Sequence, residues 1–221
     1  MEPRLVVTED GSNTLYAENY DEHYHSVHGA LQESMHVFIN AGLRQKLSNQ
    51  TIDILETGFG TGLNALLTCI EAEKHKMHVN YTSVEKFPIA AEMSSKLNYC
   101  ALTDVGRCNS FWNDIQQCEW EQMQPVSAFF NLKKTEMNIE DINYKEQFDI
   151  IYFDAFAPSA QPELWTEAIF RSMYNALRPN GILVTYCAKG VVKRTMKSVG
   201  FVVEALPGPK GKREMTRCVK L

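Results

Sequence analysis

The chain has 221 residues, of which 44% are hydrophobic and 22% charged, with a formal net charge of −5. This composition is that of an ordinary globular protein, and the length suits one catalytic domain with a modest extension. The sequence holds no apolar run long enough for a signal sequence or a bilayer span, which argues against a membrane protein and predicts a cytoplasmic one.

The charge is unevenly distributed along the chain. From Lys189 onward there are nine basic side chains and two acidic ones. The net negative charge argues weakly against a nucleic-acid partner, whereas a basic end on an acidic body can attract phosphates. A solvated surface explains the same pattern equally well.

The six cysteines form no Cys-x-x-Cys pair, and several lie in apolar runs. This spacing predicts reduced thiols and no zinc or other metal site.

The first 50 residues predict an N-terminal extension. Arg4–Thr8 and 14–16 have the composition of short strands, and residues 31–47 carry apolar side chains at helical spacing. We expect residues 1–50 to form this extension and residues 51–221 to form the catalytic domain.

From residue 51 the pattern alternates between strands and helices, with only residues 101–128 giving no clear signal. The predicted strands are 52–55, 79–84, 129–134, 148–153, 182–186, 201–203 and 215–219, and the predicted helices are 63–73, one opening near Pro88, 163–177 and 191–199, with a turn at 178–181. Such alternation predicts a mostly parallel sheet covered on both faces, and the last two strands predict an antiparallel C-terminal edge. The fold class is therefore α/β, the Rossmann-like class I methyltransferase variant.

A glycine-rich loop follows the strand at 52–55. It contains Gly58, Gly60 and Gly62, with Glu56 before it and Glu85 after the next strand. Glycines allow close backbone approach, and the following helix directs free N–H groups at an anion. A carboxylate this close attracts an ammonium and repels a pyrophosphate, which favours S-adenosylmethionine over a dinucleotide. A nicotinamide-dependent oxidoreductase and a purely structural turn remain alternatives.

The run from Asp154 to Pro158 directly follows the apolar strand at 148–153. Its form resembles the Asp/Asn-Pro-Pro-Tyr segment of amino-group methyltransferases. A carboxylate there can accept N–H bonds from an amine and take its proton, an exposed carbonyl before Pro158 can accept a second N–H, and Phe156 can stack on a flat base. A helix-preceding Asp with a core Phe is the structural alternative.

Four ordered motifs together carry a more specific resemblance. They are Glu56-Thr57-Gly58-Phe59-Gly60-Thr61-Gly62-Leu63-Asn64, Ser83-Val84-Glu85-Lys86-Phe87-Pro88, Asp154-Ala155-Phe156-Ala157-Pro158 with 162–165, and Gly211-Lys212-Arg213-Glu214-Met215, preceded by a similar N-terminal segment at 29–38. They resemble the tRNA 5-methylaminomethyl-2-thiouridine methyltransferases, over nearly the whole chain. Some members are fused to a flavin-dependent oxidase that makes the amine. Because this sequence ends at Leu221 with no room for that domain, we expect the stand-alone methyltransferase form, with a separate enzyme supplying the aminomethyl uridine.

The resemblance implies a role for each matching residue. Asp154 would face the amine; the cofactor S-adenosylmethionine would be held by Glu56, Gly58, Phe59, Gly60, Gly62, Glu85, Lys86 and Asn138; and the substrate by Phe156, Pro158, Glu33, Lys212 and Arg213. Asn138 departs from the acid that often contacts the adenine, with Asp141 and Asp114 as alternatives.

The partner would then be the tRNA anticodon stem-loop. Four side chains of the N-terminal extension could stack on its base: Tyr16, Tyr20, Tyr24 and His25. Trp165 is expected in the core. The expected reaction is N-methylation of the aminomethyl group of 5-aminomethyl-(2-thio)uridine at the wobble position. The rival functions are a methyltransferase or aminopropyltransferase acting on a small amine, the oxidoreductase, and a catalytically silent tRNA-binding module.

Overall fold

The computed structural model describes residues 3–221, which contain eleven β-strands and six α-helices. The strands are β1 Arg4–Val7, β2 Asn13–Ala17, β3 Glu22–His23, β4 Thr51–Thr57, β5 His78–Glu85, β6 Met123–Pro125, β7 Phe130–Glu136, β8 Phe148–Phe153, β9 Leu177–Thr185, β10 Val202–Pro207 and β11 Glu214–Val219. The α-helices are α1 Ala30–Ser34, α2 Leu63–His75, α3 Ala91–Ser94, α4 Cys108–Gln117, α5 Glu167–Ala176 and α6 Gly190–Ser198. A π-helix, Met35–Asn40, continues directly from α1.

The main sheet has eight strands in the order β10-β11-β9-β8-β4-β5-β7-β6. The five central strands β9, β8, β4, β5 and β7 are parallel, and β10–β11 form the antiparallel C-terminal edge that the sequence predicts. The opposite edge is also antiparallel, because β6 pairs with β7. β6 lies in the stretch 101–128, which has no clear signal in the sequence. The Rossmann-like prediction is confirmed.

Each face of the sheet supports its own core, because successive strand residues point to opposite sides. Ile150 and Tyr152 of β8 pack in the cluster that contains α2 and α4. Ile151 and Phe153 pack in the other cluster, with α5 and α6. Trp165 is 6% exposed in this second cluster, as predicted.

The N-terminal residues form a separate three-stranded antiparallel sheet, β1-β2-β3. Its strands are followed by α1 and the π-helix, whose Val37 and Phe38 enter the core of the α2 face. The division into units at residue 50 stays a prediction.

Four local predictions need correction. Pro88 precedes α3, which begins at Ala91, because the Glu85 carboxylate accepts a hydrogen bond from Phe87 N and holds a turn after β5. The predicted helix 163–177 starts with a 3₁₀ turn at Pro162–Trp165, and α5 begins only after Thr166, whose side chain caps it. The predicted turn at 178–181 is an irregularity inside β9.

The fourth correction concerns the cysteines, all of which were predicted to be reduced. Cys100 and Cys108 form a disulfide bond between the 3₁₀ turn Tyr99–Leu102 and the start of α4. The other four cysteines are free and buried.

The connections place the site between β4 and β8. The chain runs from β4 outward to β5 and β7, then returns to the other side of β4 for β8 and β9. Such a reversal opens a crevice at the carboxyl ends of the two diverging strands. The loops after β4 and β8 therefore meet there, and Asp154 N donates to Thr57 O at 3.2 Å.

Candidate active site

The loop between β4 and α2 is built so that backbone can approach backbone. Gly58 has φ +91°, and a Cβ added there would lie 3.0 Å from the carbonyl oxygen of Asp154. Gly62 adopts the left-handed conformation and caps the N-terminus of α2. Both positions therefore require glycine, and the free N–H groups of the first turn of α2 point out of the loop.

A cavity of about 460 Å³ opens beside this loop. Ten predicted site residues line it: Glu33, Gly58, Phe59, Gly60, Glu85, Lys86, Asn138, Asp154, Phe156 and Lys212. The other four, Glu56, Gly62, Pro158 and Arg213, lie outside its lining. The fold thus brings together residues as distant in sequence as 33 and 212 in a single pocket.

Glu56 lies behind the cavity. It has no exposed surface, and its two carboxylate oxygens accept hydrogen bonds from Asn64 Nδ2 at 3.0 Å and from Ser83 Oγ at 2.7 Å. Burial raises the pKa of Glu56 to about 8, with a smaller contribution from Asp154. Direct contact between Glu56 and a cofactor stays a prediction.

Asn64 links Glu56 to Asp154. Its Nδ2 also donates to Asp154 Oδ2 at 2.9 Å, so one amide serves two carboxylates. Sequence reasoning missed this residue, although its place two positions after Gly62 puts it in the first turn of α2, facing the strand ends. Asn64 thereby fixes the orientation of the Asp154 carboxylate.

The environment of Asp154 makes it a weaker acid than usual. The pKa of Asp154 is raised to about 7, chiefly by burial and also by the neighbouring Glu33 carboxylate, while the Asn64 hydrogen bond and Lys212 act to lower it. A carboxyl group that titrates near neutrality is suited to exchange a proton with a substrate.

The carbonyl groups after Asp154 are already engaged. Ala155 O accepts from Tyr186 Oη at 2.9 Å, and Phe156 O from Trp165 Nε1 at 2.9 Å. Ala157 O accepts from two backbone N–H groups of the following turn, at 2.8 and 3.0 Å. The carbonyl directly before Pro158 is therefore not free, contrary to the expectation, whereas Asp154 offers a carboxylate oxygen, Oδ1, that no hydrogen bond from residues 3–221 reaches.

Glu85, at the end of β5, holds the glycine loop. Its Oε2 accepts from Gly60 N at 3.1 Å and its Oε1 from Phe87 N at 2.8 Å, and burial raises its pKa. Each carboxylate oxygen keeps a second lone pair, so a diol can still donate to it.

Asn138 follows β7 at the far end of the cavity. Its Nδ2 donates to Asp141 Oδ2 at 3.2 Å, while its Oδ1 is buried and has no partner among the described residues. A buried acceptor without a donor is costly unless a ligand satisfies it. The alternatives Asp141 and Asp114 are both exposed and do not line the cavity.

Aromatic side chains of the N-terminal extension cover the cavity. The rings of Tyr20 and Tyr24 each lie 5.0 Å from the ring of Phe156, and a Cβ at Gly60 would come within 3.2 Å of Tyr24. Tyr16 instead donates to Asp21 and does not line the cavity. His25 is buried and hydrogen-bonded to Thr14 Oγ1 at 3.1 Å, which favours a structural role.

The cavity lining also contains an ion pair. Lys212 Nζ lies 2.6 Å from Glu33 Oε1 and 4.0 Å from the centroid of the Tyr186 ring. Tyr186 was missed by sequence reasoning, because a tyrosine at the end of an apolar strand gives no functional signal. Pro158 and Arg213 line a shallow depression next to the cavity.

The cavity fits S-adenosylmethionine by its chemistry. Glu85 suits its ribose diol, and the glycine loop with the first turn of α2 suits its carboxylate. The unpartnered Asn138 Oδ1 suits the amino group of an adenine. Residues 3–221 contain no cluster of His, Cys, Asp or Glu side chains able to hold a metal ion, and none of the helices described is long and apolar enough to cross a membrane.

Two bacterial relatives of this chain carry the same name. The chain is 30% identical over 227 residues to the tRNA 5-methylaminomethyl-2-thiouridine biosynthesis bifunctional protein MnmC of Cupriavidus metallidurans, covering 96% of this chain and 33% of that protein. The MnmC protein of Actinobacillus pleuropneumoniae is 28% identical over 93% of this chain and 33% of its own length. The chain thus spans about a third of these relatives.

Solved structures give the same picture of the fold. MnmC2 from Aquifex aeolicus superposes with a TM-score of 0.79 at 25% identity, over 98% of this chain and 69% of that one. Spermidine synthase from Thermotoga maritima superposes at 0.56 with 13% identity, over 95% and 68%, a likeness of fold alone.

A family model described as S-adenosyl-L-methionine-dependent methyltransferase matches residues 107–221, just over half of the chain. This match and the glycine-loop geometry agree, and they favour a methyl donor over a dinucleotide. The chain therefore belongs to the S-adenosyl-L-methionine-dependent methyltransferase family and uses S-adenosyl-L-methionine as its cofactor.

Proposed function

We propose that this chain methylates the exocyclic primary amine of 5-aminomethyl-(2-thio)uridine at the wobble position of tRNA, giving 5-methylaminomethyl-(2-thio)uridine. The names of its relatives support this substrate. The observation that carries the proposal is the Asp154 carboxylate, which lines the cavity directly after β8, while the Asp154 backbone packs against the glycine loop. In this reading Asp154 is the catalytic residue.

The cofactor supplies an electrophilic methyl group and a good leaving group, so the protein mainly has to present a neutral amine. Asp154 Oδ2 accepts from Asn64, and within residues 3–221 no hydrogen bond reaches Oδ1. Oδ1 is therefore available to accept an N–H of the amine, orient the nitrogen lone pair and take the proton. A pKa of about 7 lets Asp154 receive that proton and release it at neutral pH.

The roof of the cavity suits a flat base. Phe156, Tyr20 and Tyr24 form one aromatic group at the entrance, next to Asp154. A uridine has to leave the anticodon stack to reach Asp154, at a cost of about a few kcal/mol, and stacking on these rings offsets part of that cost. Phe156 is thus a substrate contact in the proposal, as are Glu33 and Lys212, which line the same cavity.

The same proposal sets the partners. The anticodon stem-loop is the bound part of tRNA, the reaction takes place in the cytoplasm with the rest of tRNA maturation, and a separate enzyme supplies the aminomethyl group. The N-terminal extension, residues 1–50, contributes the cover, and residues 51–221 contribute the cofactor and amine sites.

The test is a direct assay. Purified protein is incubated with isotopically labelled S-adenosylmethionine and tRNA that bears 5-aminomethyluridine or its 2-thio form, and the digested nucleosides are analysed. Label in 5-methylaminomethyluridine supports the proposal. Label in a small amine, transfer of an aminopropyl group from the decarboxylated donor, or binding of tRNA without any transfer would instead support the corresponding rival.

A further inference from the structure

The basic C-terminal part of the chain is mostly neutralised by ion pairs. Five of its nine basic side chains pair with carboxylates: Lys193 with Glu214, Lys210 with Glu9, Lys212 with Glu33, Arg217 with Glu204 and Lys220 with Glu146. The other four, Lys189, Arg194, Lys197 and Arg213, have no carboxylate partner within residues 3–221. These four are exposed, so their charge remains available to a ligand.

Two of the unpaired side chains lie beside the active-site cavity. Lys189 and Arg213 line the shallow depression that contains Pro158 and shares Ala157, Tyr186 and Lys212 with the cavity. The depression contains one acid, Glu214, whose charge is offset by Lys193 at 2.7 Å. It is therefore a positively charged surface continuous with the place where the substrate base has to enter.

We propose that this depression is a binding subsite for the RNA phosphodiester backbone next to the target nucleotide, with Lys189 and Arg213 as its phosphate contacts. The inference rests on the proposed function, because it takes the cavity as the site of the target base. When the target base lies in the cavity, the phosphates on either side of its nucleotide must lie close to the cavity entrance. Ala157 and Tyr186 line both the cavity and the depression, so the backbone on one side of the target nucleotide can lie in the depression. Arg213 can grip two phosphate oxygens and Lys189 can act as a point charge.

The structure also separates this subsite from the neighbouring lysines of the same segment. Lys210 and Lys212 are held by carboxylates of the N-terminal extension at 3.0 and 2.6 Å. A phosphate would have to displace Glu9 or Glu33 to reach them, whereas Lys189 and Arg213 need no such exchange. Affinity for the RNA backbone should therefore depend more on Lys189 and Arg213 than on Lys210 and Lys212.

The experiment compares two substrates with the Lys189→Gln/Arg213→Gln double variant. One is the anticodon stem-loop carrying 5-aminomethyluridine, and the other is the free 5-aminomethyluridine nucleoside, which has no phosphate. We expect the KM for the stem-loop to rise about tenfold and the slope of log KM against log salt to fall by about 1.4, that is ~0.7 for each lost contact to a single strand. The kcat/KM for the nucleoside and the affinity for S-adenosylmethionine should be unchanged.

A charge-matched control removes two exposed lysines at the opposite end of the strands. Lys76 precedes β5 and Lys145 precedes β8, so both lie at the amino ends of the strands. The Lys76→Gln/Lys145→Gln variant should keep the wild-type KM and salt slope. Equal effects of both double variants, or a wild-type KM in the first, would overturn the subsite.

The proposed function fails in a different way. If it is wrong, the wild-type protein methylates neither the stem-loop nor the nucleoside. Fluorescence anisotropy with the labelled stem-loop then still tests the subsite, because the double variant should bind it more weakly than the control variant.

Discussion

Lys212 and Glu33 join the two ends of the chain inside the cavity, with Lys212 Nζ 2.6 Å from Glu33 Oε1. The pair lies close enough to Asp154 for the two charges to act on its pKa in opposite directions, Glu33 raising it and Lys212 lowering it. The ion pair therefore tunes the carboxyl group proposed to receive the amine proton.

The first prediction concerns pH. Asp154 must be ionised to accept a proton, and its pKa is about 7, so kcat/KM should rise with pH and level off above about 7. Glu33→Gln removes a raising charge and leaves Lys212 unpaired, so the rise should move to lower pH. Lys212→Met does the reverse and should move it to higher pH.

The control for this pair is Lys210→Met, which breaks the equivalent ion pair with Glu9 on the same loop. Its pH profile should match the wild type. Shifts of Glu33→Gln and Lys212→Met in the same direction would contradict the electrostatic account, since each variant removes one charge of opposite sign.

The second prediction separates chemistry from cofactor binding. Asp154→Asn keeps the size of the side chain but cannot take a proton, so turnover should fall by about 10²–10⁴-fold, the range for loss of general base catalysis. The dissociation constant for S-adenosylmethionine, measured by calorimetry, should change by less than about threefold. A turnover within tenfold of the wild type would remove Asp154 from the chemistry.

Much of this site was accessible from the sequence because it depends on local order. Glycines between a strand and a helix predict a loop in any Rossmann-like sheet, and acids at strand ends predict a shared crevice. Glu85 and Asp154 follow that rule and line the cavity. Glu56 also lies at a strand end, but it is buried behind Asn64 and does not line the cavity. Whether an acid at a strand end reaches the cavity depends on side-chain packing, which its position in the chain does not reveal.

Contacts between distant segments were not accessible in this way. The basic run at 210–213 indicated free positive charge, yet Lys210 and Lys212 pair with Glu9 and Glu33, about 200 and 179 residues away. Edge strand β6 is only three residues long and carries a proline, so its pattern is too short to distinguish from a loop.

The third prediction tests the glycine loop. Gly58→Ala introduces a Cβ 3.0 Å from Asp154 O and forces alanine to φ +91°. Left-handed backbone costs a residue with a Cβ about 1–2 kcal/mol, and relief of the clash moves the loop away from Asp154. We expect S-adenosylmethionine affinity to fall at least about tenfold. In Gly106→Ala the new Cβ has no heavy atom within 4 Å, and affinity should stay at the wild-type value.

The last prediction concerns stability and the buried Glu56. Its pKa in the folded protein is about 8, above its ordinary value of 4.5, so the folded state holds a proton that the unfolded state releases in that interval. Stability from this group is complete below pH 4.5 and is lost as pH rises through 8. Denaturant unfolding should therefore show the wild type losing stability across this window relative to Glu56→Gln, by on the order of a few kcal/mol, since each pKa unit is worth about 1.4 kcal/mol.

Glu119→Gln is the control, because Glu119 is exposed and its substitution should follow the wild-type curve. Parallel pH curves for the wild type and Glu56→Gln would mean that Glu56 is ionised in the folded protein. The S-adenosylmethionine affinity of Glu56→Gln, measured on the same samples, bears on the remaining sequence prediction for this residue. A loss above about tenfold would mean that the ammonium of the cofactor reaches Glu56, whereas a change below threefold fits a carboxyl group that acts from behind Asn64 by holding it against Asp154.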